Sequence, residues 1–200
     1  MHPRALTKLK HKSTSMKYNL VGDYGLEIHS HLKKLEATTK QVQFLGKHQI
    51  SPDYRAKMVD WMVEVLTTFK NSDQTLFLAV NILDRYFKAT EKSLSSNDLH
   101  LSGIVSMFIA SKYEDVIPLL MRTVINKIGH HKFEVPTVED KELEMLKSIQ
   151  YKIGAPTVKE FLDRYIEELK EPLLKSSKFY KIALYLAKLS CHNYGLMQLP

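Results

Sequence analysis

The segment SPDYRAKMVDWMVEVL, residues 51–66, constrains this chain more than any other stretch. Ser51 is a good helix N-cap, Pro52 suits the first helical position, and Asp53 complements the positive end of the helix dipole. From Ala56 onward the apolar residues Met58, Val59, Trp61, Met62, Val63, Val65 and Leu66 run almost all the way round the helix. A helix of that kind is normally buried on most sides, which requires other elements packed around it. Arg55, Lys57, Asp60 and Glu64 interrupt it, so part of its surface meets water or a charged partner.

The surroundings it needs are helical. Residues 20–36 place Tyr24, Ile28, Leu32 and Leu35 on one amphipathic face. Asn71-Ser72-Asp73 makes a turn and cap before Leu76, Phe77, Val80, Leu83 and Phe87. Ser95-Ser96-Asn97-Asp98 opens a third long helix through Leu99, Val105, Phe108, Ile109 and Tyr113. There Gly103, which costs about 1 kcal/mol against alanine in mid-helix, predicts a close helix crossing. Pro118 is expected to open a shorter helix that Gly129 ends, and Thr137-Val138-Glu139-Asp140 reads as a capping box for the next. After the break at Gly154-Ala155-Pro156, Thr157-x-x-Glu160 starts a helix through Phe161, Tyr165 and Leu169, which Pro172 ends. A last helix carries Phe179, Ile182, Leu186 and Leu189.

Strand alternation is nearly absent, so the fold class is all-α. A basic tail covers 1–19, expected to be disordered, and an N-terminal helix and linker cover 20–50. A five-helix bundle follows over 51–153, with the first helices of a second bundle over 154–200. Two helices cannot bury both of their apolar faces alone, which predicts partial exposure of Phe161, Phe179, Ile182 and Leu186.

Charge and chemistry narrow the function. Arg4, Lys8, Lys10, Lys12 and Lys17 give the first 22 residues +5 of the net charge of +7, which leaves +2 for the rest; a nucleic-acid reader carries its basic patch on the folded part. The single Cys191 excludes an internal disulfide and fits a reducing compartment. The apolar run 99–111 is far short of the ~20 residues that span a bilayer. No Gly-rich phosphate loop, HExxH or GxSxG motif occurs, and neither His130-His131 nor Cys191-His192 has companions at metal-ligand spacing. No catalytic residue, metal or cofactor is expected. Binding is the expected activity.

The motifs then acquire a family. RAKMVDWMVEV resembles the opening of the cyclin box, TLFLAVNILDRYF its second helix and LHLSGIVSMFIASKYED its third. Glu142 with Met145-Leu146 resembles the fifth, GAPTVKEFL the join into a second box, and YGLEIHSHLKKLE the N-terminal helix of mitotic cyclins. The likeness runs over roughly residues 20–199, and the chain is identified as an A/B-type cyclin ending within its second box.

The resemblance implies a cyclin fold and a non-catalytic subunit, in nucleus and cytoplasm, that binds and activates a cyclin-dependent protein kinase during mitosis. Lys112 and Glu142 match the charged kinase contacts, with Phe108, Tyr113, Ile117, Leu146 and Tyr151 as the apolar part. The leftover face of the 51–66 helix matches a groove for Arg-x-Leu peptides of substrates or inhibitors. Tyr54, Met58, Trp61 and Leu99 would line it, with Glu64 for the peptide arginine and His100 beside them. Tyr54 stands where methionine is usual, and His100 where many have glutamine. Arg55 and Asp84 match a pair bridged inside the box, a structural role. No membrane and no nucleic-acid partner is implied. The rival readings are a transcription scaffold on the same fold, which usually shows a zinc ribbon and basic recognition helices, and a transcriptional-type cyclin.

Overall fold

The computed structural model describes residues 24–39, 43–168 and 177–198. The chain divides into two compact units, residues 1–38 and 39–200. In the first, helix α1 spans Gly25–Thr39, with Glu27 in its first turn. Thr38 Oγ1 donates to the Leu35 carbonyl at 2.7 Å near its end. Tyr24, just ahead of it, and Ile28 and Leu35 on it are exposed. The expected start at residue 20 lies outside the described residues, as do the basic tail, Leu169 and Pro172.

The second unit opens with a 3-10 turn, Leu45–Lys47, and continues as α2 (Pro52–Thr68), α3 (Asp73–Ala89), α4 (Ser96–Glu114) and α5 (Met121–Thr123), which runs straight into a π-helix (Val124–Ile128). Then come α6 (Val135–Ser148), α7 (Val158–Glu168), α8 (Ser177–Ser190) and a 3-10 turn, Leu196–Gln198. No strand occurs among the described residues.

Local chemistry sets the long helices. Ser51 Oγ accepts from the Tyr54 amide, and Ser72 Oγ from the Thr75 amide. Ser95 and Asp98 form a reciprocal capping box at the start of α4. Thr157 and Glu160 do the same for α7, where the Thr157 amide donates to Glu160 Oε2 at 2.7 Å.

Helices α3 and α4 form the centre. Every residue of α4 from Ser102 to Ser111 is buried, and α3 buries Thr75–Val80, Ile82–Asp84, Tyr86 and Phe87. Helix α2 crosses α4 at Gly103, where an added Cβ would fall 2.5 Å from Met58 Sδ; the buried Met58 side chain fills the space the glycine leaves. Beneath it, the guanidinium of Arg55 is fully buried with Asp84. Nε donates to Oδ1 at 2.7 Å, Nη2 to Oδ2 at 2.6 Å, and Nη1 to the Cys191 carbonyl at 2.9 Å. Burial works against the charge of Arg55, but the Asp84 carboxylate more than offsets it and the pKa rises.

That third bond belongs to a clamp formed by residues 187–194. Ala187 and Cys191 are buried in the core, and burial pushes the Cys191 thiol up to about 12. Tyr194 Oη accepts from the amides of Phe44 (2.6 Å) and Leu45 (3.0 Å), with its ring edge-on to Phe44 at 5.2 Å. Lys188 pairs with Asp73 at 2.5 Å. On the outer side of α8, Phe179, Ile182 (60% exposed) and Leu186 meet solvent, and Phe161 on α7 is half-buried.

Two boundaries differ from expectation, and a third, at Gly129, falls where expected. Helix α6 starts at Val135 with Glu134 in the N-cap position and no side-chain cap; Pro136, with its preset φ, starts the helix ahead of Thr137. Pro118 lies in a non-helical linker, and α5 begins only at Met121. Gly129 ends that helix with φ −80°, and the left-handed residues are His130 and His131 (φ 48° and 58°).

Candidate binding surfaces

Two surfaces gather the residues singled out by sequence. The first lies where α4 and α6 pack side by side. Lys112, in the last turn of α4, is ion-paired with Glu142 in α6, and its Nζ sits 4.1 Å above the centre of the Phe108 ring. Phe108 is itself buried, so it supports the pair from below. Tyr113, Ile117 (86% exposed) and Tyr151 are at the surface, and Leu146 is half-buried. Tyr113 covers Gly154, where an added Cβ would fall 2.6 Å from the phenol oxygen.

Apolar residues that sequence reasoning missed enlarge this patch. Val116 is 99% exposed, and Leu120 and Leu143 are exposed too. Their signal was legible: Val116-Ile117 is an apolar pair in a linker between helices, where nothing folds over it. A network behind the patch fixes α6. Lys141 donates to Tyr86 Oη (3.1 Å) and Glu144 Oε2 (2.9 Å), and Lys92 pairs with Glu144 at 3.0 Å. Burial alone would raise Glu144, but Lys141 and Lys92 hold it below the usual carboxylate range. Burial opposes the Lys141 charge, and Glu144 and Tyr86 more than compensate, so its pKa is raised.

The second surface runs along α2. Tyr54, half exposed, Trp61, half-buried, and exposed Glu64 follow one stripe, while Met58 and Leu99 are buried and form its floor. Trp61 packs on His100 (ring centres 5.0 Å apart), and His100 packs in turn on Phe133 (5.7 Å). Burial lowers the pKa of His100, and the nearby Lys132 and His130 lower it further, so its ring is neutral at physiological pH. Lys57, absent from the expected set, also stands on this stripe, with Nζ 5.8 Å from the centre of the Tyr54 ring. Among the described residues no cluster of side chains is suited to a metal ion, and no helix is long and apolar enough to cross a membrane.

Helices wrapped around a buried central α4, with an internal arginine–aspartate pair, define the class. The family model described as the cyclin N-terminal domain matches residues 27–154, and the chain belongs to the cyclin family. Its relatives narrow this to the A/B type. It is 32% identical to G2/mitotic-specific cyclin C13-1 of Daucus carota over 181 residues, 88% of this chain and 52% of that one. It is 31% identical to G2/mitotic-specific cyclin-B of Arbacia punctulata (90% of this chain, 43% of that one) and 32% identical to Cyclin-A2 of Xenopus laevis (86% and 40%). The chain thus spans about half the length of these curated relatives. Its fold matches the X-ray structure of a viral cyclin from herpesvirus saimiri, with a TM-score of 0.66 at 18% identity, over 84% of this chain and 74% of that one.

Proposed function

We propose that this chain binds and activates the catalytic subunit of a cyclin-dependent protein kinase, contributes no catalytic group itself, and recruits substrates or inhibitors through the α2 stripe by an Arg-x-Leu segment. The observation that carries the kinase contact is the Lys112–Glu142 pair, set in an exposed apolar patch of Tyr113, Val116, Ile117 and Tyr151. A patch of that kind, with a charged pair inside it, suits a partner that supplies apolar surface and polar backbone groups together. The activating effect is a population shift. An active kinase needs the lysine that positions ATP paired with a glutamate of its movable helix, and a partner that binds only that arrangement favours it by its differential affinity.

In the free chain Lys112 and Glu142 neutralise each other, which makes the test a clean one. Exchanging the two charges, Lys112→Glu with Glu142→Lys, keeps an internal pair and therefore the fold, while reversing the field presented to a partner. Titration of the full chain against a monomeric cyclin-dependent kinase should show saturable binding and increased phosphorylation of a basic substrate, and the exchanged variant should show neither. Equal activation by a helical, exchanged variant would remove the pair from the contact. No binding by the well-folded parent chain would overturn the kinase reading.

A further inference from the structure

Along α2 the stripe of Lys57, Trp61 and Glu64 places a cation, an indole and a carboxylate four and then three residues apart. Spacings of three and four put all three on one helix face. The seven-residue rise from Lys57 to Glu64 separates the two backbone positions by about 10 Å along the axis. Lys57 makes no ion pair among the described residues: it reaches over the Tyr54 ring, and Asp60, one turn on, lies 3.6 Å from His192. Glu64 is exposed. Beside the indole, Trp61, His100 and Phe133 form one aromatic row. The loop that follows Gly129 brings exposed His130, His131 and Lys132 to it, two of them in left-handed backbone. The carboxylates of this region are Asp53 at the start of α2, Asp60, Glu64, and Glu134 at the start of α6. None of them is paired with Lys57 or Lys132.

We infer that this stripe selects an extended, dipolar peptide: one with a basic residue for Glu64, an aliphatic residue for the Trp61–His100 row, and an acidic residue for Lys57. An extended chain advances at most 3.3–3.6 Å per residue, so the basic and acidic residues of that peptide stand about three positions apart. The inference rests on the docking reading above and deepens it, because an Arg-x-Leu segment alone uses only the Glu64 end and the indole. The Lys132 side of the row adds a second positive contact for acidic residues. A single-stranded nucleic acid is the less suitable occupant: Glu64 repels phosphates at one end, and Trp61 and Phe133 already face His100 on either side.

The test is fluorescence anisotropy with the full chain and three labelled peptides. Each carries Arg and Leu at the first and third core positions, and Asp, Asn or Lys at the fourth. Replacing Asp by Asn should weaken binding about three- to fivefold at low ionic strength, the range of an exposed ion pair, and the difference should shrink in high salt. In Lys57→Gln the Asp and Asn peptides should bind alike, and Lys57→Glu should prefer the Lys peptide. Equal binding of Asp and Asn peptides by the parent chain overturns the inference and leaves the Arg-x-Leu groove standing. Loss of all three peptides, by a chain that still binds kinase, overturns both. Displacement of the Asp peptide by a labelled oligouridine at comparable affinity would assign the stripe to nucleic acid and overturn the inference as well.

Discussion

Replacing Asp84 by asparagine keeps the shape of the side chain and removes its charge, leaving the Arg55 guanidinium in the core with no anion. Both side chains are fully buried, so water cannot take over the role of the carboxylate. Two short bonds, at 2.7 and 2.6 Å, lose their charged acceptor. The Cys191 carbonyl at 2.9 Å, a neutral dipole, remains as a partner. Removing one member of a buried ion pair costs about 3–5 kcal/mol, because the other charge stays behind uncompensated. The amide oxygen of asparagine still accepts one bond, which places the expected loss near the lower end, about 3 kcal/mol. For a unit of this size that corresponds to a fall in melting temperature of about 6–12 °C. Urea unfolding followed by circular dichroism measures it, as a lower midpoint with an unchanged slope. The double variant Arg55→Met/Asp84→Leu removes both charges and should recover most of the loss. A drop under about 1 kcal/mol for Asp84→Asn, or a double variant no better than the single one, would refute the account of a compensated buried charge.

Three further outcomes are expected. Gly103→Ala gains about 1 kcal/mol of helix propensity but drives its methyl into buried Met58; the overpacking term of about 1–3 kcal/mol should win, and a higher urea midpoint would contradict the close crossing. Tyr194→Phe deprives the Phe44 and Leu45 amides of their shared acceptor and should cost about 1–3 kcal/mol, with faster hydrogen exchange at those two amides as its local signature. Glu144, Asp98 and Asp115 all have folded pKa values lowered below their ordinary range; for Asp98 the Ser95 hydrogen bonds lead, whereas for Glu144 and Asp115 burial opposes the shift and is outweighed by the hydrogen bonds. Their stabilisation is therefore complete above about pH 5 and is lost as the pH falls through the lowered folded values, so a urea midpoint that rises between pH 5 and pH 3 would reverse the sign.

The long helices were legible because their signals are local: Ser51-Pro52, Ser72, the Ser95–Asp98 box and the Thr157–Glu160 box each act within four residues. The same locality explains the misses. Pro136 competes with Thr137 for the start of α6, and sequence alone does not weigh a preset φ against a hydroxyl cap. The π-helix packs against α4, and no local motif encodes it. For the surfaces, residue types and helix faces were legible, and the partition between floor and rim was not. Met58, Leu99 and Phe108 lie on apolar helix faces in sequence, which does not say whether each reaches a surface, and they turn out to be buried; Lys57 looks like a solvated charge and stands on the groove stripe over Tyr54.

The bond from Arg55 to the Cys191 carbonyl joins residues 136 positions apart, and that from Phe44 to Tyr194 joins residues 150 apart. Chain made from its N-terminus therefore presents Arg55 and Asp84 to each other long before the last acceptor exists. At 5–20 residues per second, the interval between synthesis of Asp84 and of Cys191 is roughly 5–20 s. Through that time the first helices can collapse, but their central guanidinium lacks one of its three bonds and the backbone at 44–45 lacks its acceptor. The core around the first helices therefore closes only when Cys191 and Tyr194 arrive, and the buried arginine ties the start of α2 to the turn after α8.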